Sequence, residues 1–249
     1  MTREQAFERL CARGLADADS AVVVDHLAAA DAAGKPGHGL SRVPWLERLL
    51  GDTLDPSGRP ERIERSAGFE RWHGRGALGY LTMAALCDAV ASDPPERARF
   101  LIAESCFPTG VLGEWARRLA DAGFVAVVTA TSPRRLPHPD GGPPLTGTNP
   151  IAIAVPSSDG RPFVADVSMG AVTHGDVLAG RARPEELVPF GGPQAHKAFA
   201  LAAGVELLVG ALAGPEPGAV VLVAEPGHDP VAGFRELADG LRLPGDRAA

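Results

Sequence analysis

The chain has 249 residues, enough for one large domain or two small ones around a substantial core and too many for a disulfide miniprotein. Apolar residues make up 45% and charged residues 22%, a globular balance that excludes a disordered or fibrous chain. The net charge is −7 and no Lys/Arg run forms the stripe that neutralises a phosphate backbone, so nucleic acid is not an expected partner.

Met1 to Gln5 carries no apolar signal core, and the longest apolar stretch, residues 198–213, is interrupted by Glu206. The expectation is a chain that neither spans a membrane nor is exported. Cys11, Cys87 and Cys106 are odd in number and far apart, with no Cys-x-x-Cys, which argues against a disulfide framework or a zinc site and for a reducing cytoplasm.

Thr2 and Gln5 form a capping box, and Phe7, Leu10 and Cys11 share one helical face, which predicts a first helix. A second helix, residues 20–33, places Val24, Leu27 and Ala28 on one stripe and stops at Gly34-Lys35-Pro36-Gly37. Residues 51–76 are polar and rich in turn formers and read as loop. Helix resumes over 78–92, a short strand follows over 99–104, and Leu112, Trp115, Ala116 and Leu119 mark a helix within 110–123 before the apolar strand 124–131. Residues 132–147 form a Pro/Gly-rich loop, and 150–156 and 161–168 flank Ser157-Ser158-Asp159-Gly160 as a hairpin. Ala198, Leu201, Ala202, Val205, Leu208, Val209 and Leu212 predict a core helix, followed by a central strand at 220–223 and a last helix opened by Asp229-Pro230. The alternation of helix and strand is that of an α/β layer. Three regions follow: 1–76, an N-terminal helical region carrying His38 and Arg42; 77–218, a central α/β domain; and 219–249, a C-terminal strand and helix.

Gly74-x-Gly76-x-x-Gly79 before a helix, with Glu104 at the end of the next strand, has the outline of a dinucleotide fingerprint. Residues 64–71 offer no apolar strand ahead of it, so the motif reads as a glycine-rich loop. His38 stands in Gly37-His38-Gly39 with Arg42 four residues on. A guanidinium grips a carboxylate through two parallel bonds, and an imidazole can give a proton to a developing alkoxide, so the pair suits a small keto acid. The same spacing also describes a helix-terminus histidine beside a solvated arginine.

The segment Asp31-x-x-Gly34-x-x-x-His38-Gly39-x-x-Arg42 resembles the active-site segment of the malate/L-lactate dehydrogenase-like oxidoreductases. The likeness continues through Gly147-Thr148-Asn149-Pro150-Ile151-Ala152, Asp166-Val167-Ser168-Met169, Pro189-Phe190-Gly191-Gly192 and Lys197. It implies a mixed-sheet α/β fold distinct from the Rossmann type, an NAD or NADP cofactor, a small carboxylate substrate and a homodimer. It implies His38 as proton donor and Arg42 as carboxylate anchor, with Thr148, Asn149, Asp166, Val167, Ser168, Met169 and Gly170 at the cofactor.

Departures from that pattern are equally plain. Gly37 stands where the family has a serine, and Ser105-Cys106-Phe107-Pro108-Thr109-Gly110 lacks the histidine of Ser-x-His-x-Gly. The links at 180–189 and 240–244 are short, where relatives carry longer segments with cofactor contacts. Two activities follow as expectations: nicotinamide-dependent reduction of a 2-oxo or cyclic imino acid, or, with the dinucleotide site lost, nonredox acid/base chemistry on a carboxylated metabolite. Cys106 reads as an inert core thiol and His174 and His196 as packing or surface residues. Lys197 reads either as a ligand contact or as a solvated charge at a helix start.

Overall fold

A computed structural model describes residues 1–246; the last three residues of the 219–249 region lie outside it. The fold is α/β, built on one seven-stranded mixed sheet in the order β1-β2-β3-β9-β4-β7-β8. The strands are β1 (Glu61–Ser66), β2 (Phe69–His73), β3 (Ala98–Glu104), β4 (Val125–Ala130), β7 (Ile151–Val155), β8 (Phe163–Val167) and β9 (Ala219–Ala224). Only β2 and β3 pair in parallel; every other pairing in this sheet is antiparallel. A small second sheet pairs β5 (Leu136–His138) with β6 (Gly141–Thr146).

Strand alternation divides the core. Leu101 and Ala103 of β3, Val221 and Val223 of β9 and Ala126 and Val128 of β4 face a large cluster supplied by α1 (Arg3–Ala12), α2 (Asp17–Ala32), α3 (Val43–Asp52), α4 (Gly79–Ser92) and α5 (Leu112–Asp121). Ile102 and Val220 point to the opposite face, where Val205, Val209 and Ala213 of α7 (Ala195–Ala213) cover them. The short α6 (His174–Leu178) and the final α8 (Val231–Ala238) complete the chain.

Three expectations need correction. The predicted loop at 51–76 contains β1 and β2. It hides in the sequence because β1 is exposed along its whole length and β2 buries a carboxylate where apolar residues are expected. Glu70 is fully buried, faces Arg99 Nη1 at 3.2 Å and accepts from Trp72 Nε1 at 2.9 Å. A strand therefore does precede Gly74-x-Gly76-x-x-Gly79, and β2-α4-β3 is a parallel crossover. The chain itself fills the phosphate position, since Gly79 N–H donates to the Phe107 carbonyl at 3.2 Å. A Cβ on Gly74 would stand 2.2 Å from the Ser105 carbonyl oxygen, and one on Gly79 2.7 Å from the Phe107 nitrogen. These glycines permit close backbone packing, so the Rossmann outline has no binding role here.

The predicted Pro/Gly loop at 132–147 likewise carries β5 and β6. The predicted core helix, α7, is buried on one side only: Leu201, Leu207 and Leu208 are exposed. By length and composition alone, residues 192–213 could cross a membrane, yet Val205 and Val209 pack on the sheet and Glu206 accepts from Asn149 Nδ2 at 2.7 Å. The three cysteines are free thiols.

His26 of α2 supports the cavity described below from behind. It is 6% exposed, stacks on Trp115 at 4.4 Å and accepts from Val111 N–H at 2.9 Å. Burial, with a smaller effect of His38, lowers its pKa from 6.5 to about 3. Between those two values the unfolded chain binds a proton that the folded chain refuses, so stability is full above the unfolded value and falls as pH drops through the window. This histidine should contribute a loss of ~1.4 kcal/mol per pH unit there. Denaturant melts from pH 6.5 to 4 should show that slope, and His26→Gln should flatten it by one proton; an unchanged slope would contradict the assignment.

Candidate active site

The corner bearing His38 and Arg42 is braced by backbone geometry. α2 ends with Lys35 N–H donating to the Ala30 carbonyl at 2.9 Å and Gly34 N–H to that of Asp31 at 3.0 Å, with Gly34 at φ +72°. This is a Schellman termination, and the left-handed residue within it favours glycine. Two 3-10 turns follow, Pro36–His38 and Leu40–Arg42. The Asp31 carboxylate accepts from Leu40 N–H at 2.9 Å, and a Cβ on Gly39 would stand 1.7 Å from Asp31 Oδ1. Asp31, Gly34 and Gly39 thus fix the corner that presents His38 and Arg42 to one cavity.

That cavity measures about 370 Å³ and is walled by His38, Arg42, Tyr80, Arg135, Asp166 and His174, among others. Arg42 is 8% exposed and lies over the Trp45 ring, Cζ 3.9 Å from its centroid. Its Nε and Nη1 are buried without a hydrogen-bond partner. Burial pushes the guanidinium below its ordinary value, and the fields of Tyr80 and Asp176 act the other way. A buried charge is costly unless paired, and Arg42 lines the cavity, so the site suits an anion. Burial first and Arg42 second lower the His38 pKa to about 4; Asp166 and Asp176 oppose that shift, while Lys35 adds to it. The His38 imidazole is therefore neutral at pH 7. Burial also pushes the Tyr80 phenol up to about 12, leaving it a hydroxyl.

The serine missing at position 37 has a structural counterpart. A Cβ on Gly37 would lie 2.3 Å from Thr173 Oγ1 and 3.0 Å from the Asp176 carboxylate, and one on Gly175 only 1.7 Å from the Gly37 carbonyl. Thr173 Oγ1 donates to Asp176 Oδ2 at 2.6 Å and caps α6. Thr173 Oγ1 thus takes the space that a side chain at position 37 would need.

The remaining sequence-predicted residues divide into two groups. Thr148, Asp166 and Ser168 line the cavity, and Asp166 is ion-paired with Lys35. Asn149, Val167, Met169 and Gly170 do not line it. Asn149 is fully buried and donates from Nδ2 to the Ala202 carbonyl at 2.9 Å and to Glu206. Val167 is exposed on an edge strand, Met169 packs with Leu136, Ala198 and Ala202, and Gly170 bridges to Pro189. These four form the scaffold behind the wall.

His174, read as a packing or surface residue, lines the cavity, whereas His196 and Lys197 are exposed at the start of α7 and do not. Cys106 is fully buried, its thiol pushed up to about 12 by burial, as an inert core cysteine should be. The loop lacking the expected histidine brings Phe107, Pro108, Thr109 and Gly110 to the wall instead. Sequence reasoning missed Tyr80, Arg135, Thr173 and Asp176. The one available signal was the Arg134-Arg135 pair within a stretch otherwise dominated by proline and glycine.

A smaller cleft of about 250 Å³ shares Lys35, Val111 and Asp166 with the cavity and carries Arg117 and Arg242. Arg117 Nε is buried without a partner. Apolar Pro108, Val111, Leu112 and Pro150 suit a flat ring, and the Thr148 and Ser168 hydroxyls suit an amide. With guanidiniums next door for phosphates, these residues fit a nicotinamide dinucleotide.

The sequence profile of the malate/L-lactate dehydrogenase family matches residues 2–187. The chain belongs to that family. Its relatives are named as oxidoreductases. A Delta(1)-pyrroline-2-carboxylate/Delta(1)-piperideine-2-carboxylate reductase of Pseudomonas putida is 27% identical, the alignment covering 94% of this chain and 84% of that protein. A (2R)-3-sulfolactate dehydrogenase (NADP(+)) of Chromohalobacter salexigens is also 27% identical, over 97% and 87% of the two chains. The crystal structure of a dehydrogenase from Sinorhizobium meliloti superposes with a TM-score of 0.84 at 25% identity, covering 99% of this chain and 86% of that one. The mixed-sheet fold expected from the resemblance is therefore the observed one.

The exchange of hydroxyls between positions 37 and 173 can be tested by stability. Gly37→Ser should lower Tm by an overpacking cost of ~1–3 kcal/mol. Adding Thr173→Ala should recover part of the loss, a coupling read from a double-mutant cycle. Additive losses would show that the two positions do not share the space.

Proposed function

We propose that the protein reduces a small 2-oxo acid or cyclic imino acid with a nicotinamide cofactor, Arg42 anchoring the carboxylate and His38 supplying the proton. The observation that carries this reading is a buried guanidinium with no counter-ion among the described residues, one turn of chain from a neutral imidazole on the same cavity wall. The names of the relatives support both the reaction type and the substrate class.

Arg42, which lines the cavity, receives the substrate carboxylate on its guanidinium, whose planar geometry fixes the acid's orientation. The incoming negative charge offsets the Arg42 field that helps depress His38, so the imidazole takes up a proton as the substrate binds. Asp166 and Asp176, whose fields already favour the charged form, stabilise the imidazolium. When bound, nicotinamide supplies the hydride to the substrate's unsaturated carbon. The His38 imidazolium then donates its proton to the alkoxide oxygen of a 2-oxo acid; for a cyclic imino acid it protonates the imine nitrogen, so that one hydride and one proton give the secondary amine. Thr148 and Ser168, with the adjoining Arg117 and Arg242, would hold the cofactor. The apolar wall keeps water from the reacting carbon.

The same reading extends to setting and assembly. Free thiols suit a reducing cytoplasm. A second copy packed on the exposed Leu201, Leu207 and Leu208 of α7 would cover that apolar face.

His38→Ala should lower kcat for NADH- or NADPH-dependent reduction by ~10²–10⁴ while Tm stays near wild type. Arg42→Met should act mainly through KM, raising it by ~10²-fold or more. Undiminished reduction by the His38 variant would overturn the assignment of the proton donor.

A further inference from the structure

Arg42 cannot grip a carboxylate by itself in the way a free guanidinium does. Each nitrogen pair that offers two parallel bonds includes Nε or Nη1, and both of those atoms are enclosed. Nη2 is the nitrogen of that guanidinium left to meet a guest in the cavity that Arg42 lines. One carboxylate oxygen is therefore served by Arg42, and the other calls for a different donor.

Tyr80 has such a donor free. It is the only tyrosine in the chain, stands in the first turn of α4 and lines the same cavity. Its ring is locked in place: it packs edge-on against the His26 ring, centroids 5.2 Å apart, and a Cβ on Gly110, where φ is +70°, would stand 2.4 Å from its Cε1. Polar groups packed about that ring are already engaged, His26 Nε2 by Val111 N–H at 2.9 Å and the Thr109 carbonyl by Trp115 Nε1 at 2.7 Å. The phenol makes no hydrogen bond among the described residues, yet its oxygen is not one of the enclosed atoms without a partner, so it opens on the cavity. A hydroxyl held rigid with nothing to bond costs free energy until a guest supplies the acceptor.

We infer that Tyr80 is a substrate-contacting residue, its hydroxyl donating to one oxygen of the bound carboxylate while Arg42 Nη2 takes the other. This rests on the assignment of the cavity as the acid-binding site. Burial keeps the phenol a hydroxyl, so no proton leaves Tyr80 and proton supply stays with His38. The carboxylate carries the same charge before and after reduction, so the contact contributes to binding and not to the chemical step. A neutral donor raises affinity for the acid without placing a second buried cation beside Arg42.

The experiment labels the full chain with tyrosine isotopically enriched at Cζ, which gives one resonance because there is one tyrosine. Oxamate, a non-reducible 2-oxo acid analogue, should shift that resonance, and NADH or NADPH without oxamate should leave it in place. Tyr80→Phe keeps the ring that packs on His26, so Tm should stay near wild type. The variant should weaken oxamate binding about tenfold or more by calorimetry and raise KM for 2-oxo acid reduction to match, with kcat changed by no more than about twofold. A ring that served packing alone would show none of these losses. A resonance unmoved by oxamate or moved by nucleotide alone would overturn the assignment, as would oxamate affinity unchanged in Tyr80→Phe or a fall in kcat at constant KM. Tyr80-dependent oxamate binding without turnover of any 2-oxo or imino acid would sustain the contact and remove the reductase reading; turnover with KM unaltered in Tyr80→Phe would do the reverse.

Discussion

A guanidinium buried without a counter-ion, set beside an imidazole that it helps keep neutral, is the constraint from which the rest of the site follows. Arg42 is nearly enclosed, stacked on Trp45, with Nε and Nη1 buried and unpartnered. Such an arrangement is unfavourable in isolation and becomes favourable when an anion enters. Burial is the main cause of the neutral His38 imidazole and the Arg42 field adds to it, so in the proposed mechanism an anion at Arg42 offsets the second of these. The proposed mechanism thus couples binding to proton supply.

Holding two mutually unfavourable groups in place requires a rigid frame, and the backbone provides it. The Schellman end of α2, the Asp31 bond to Leu40 and the contact of Gly39 with Asp31 leave the corner little freedom. Opposite it, Gly37 and Gly175 bring two turns into backbone contact, and the Thr173–Asp176 pair fills the space a side chain would take. Asn149 ties the third wall to α7. Of the seven residues expected at the cofactor, Thr148, Asp166 and Ser168 line the cavity, and Asn149 is fully buried against α7.

Legibility in the sequence followed the physics of each element. The capping box of α1, the amphipathic α5 and the β7-β8 hairpin were readable because local pattern determines them. β1 and β2 were not, since one is an exposed edge strand and the other buries Glu70, whose cost is met by Arg99 from a distant strand. The exposed half of α7 was unreadable for the converse reason: its composition is that of a core helix. At the site, His38 and Arg42 were legible through their motif, whereas Arg135 reaches the cavity only because β5 and β6 pair, and Tyr80 only because the first turn of α4 meets the cavity wall. Long-range pairing leaves no local signature at those positions.

The most direct measurement of the coupling is the proton balance of ligand binding. A non-reducible 2-oxo acid analogue titrated at pH 6 in two buffers of different ionisation enthalpy reports protons exchanged on binding. Because His38 in the free protein sits at about 4, a complex that neutralises the Arg42 field should draw a proton from the buffer. Net uptake that disappears in His38→Gln is the predicted result; binding with no uptake, or with release, would contradict the account.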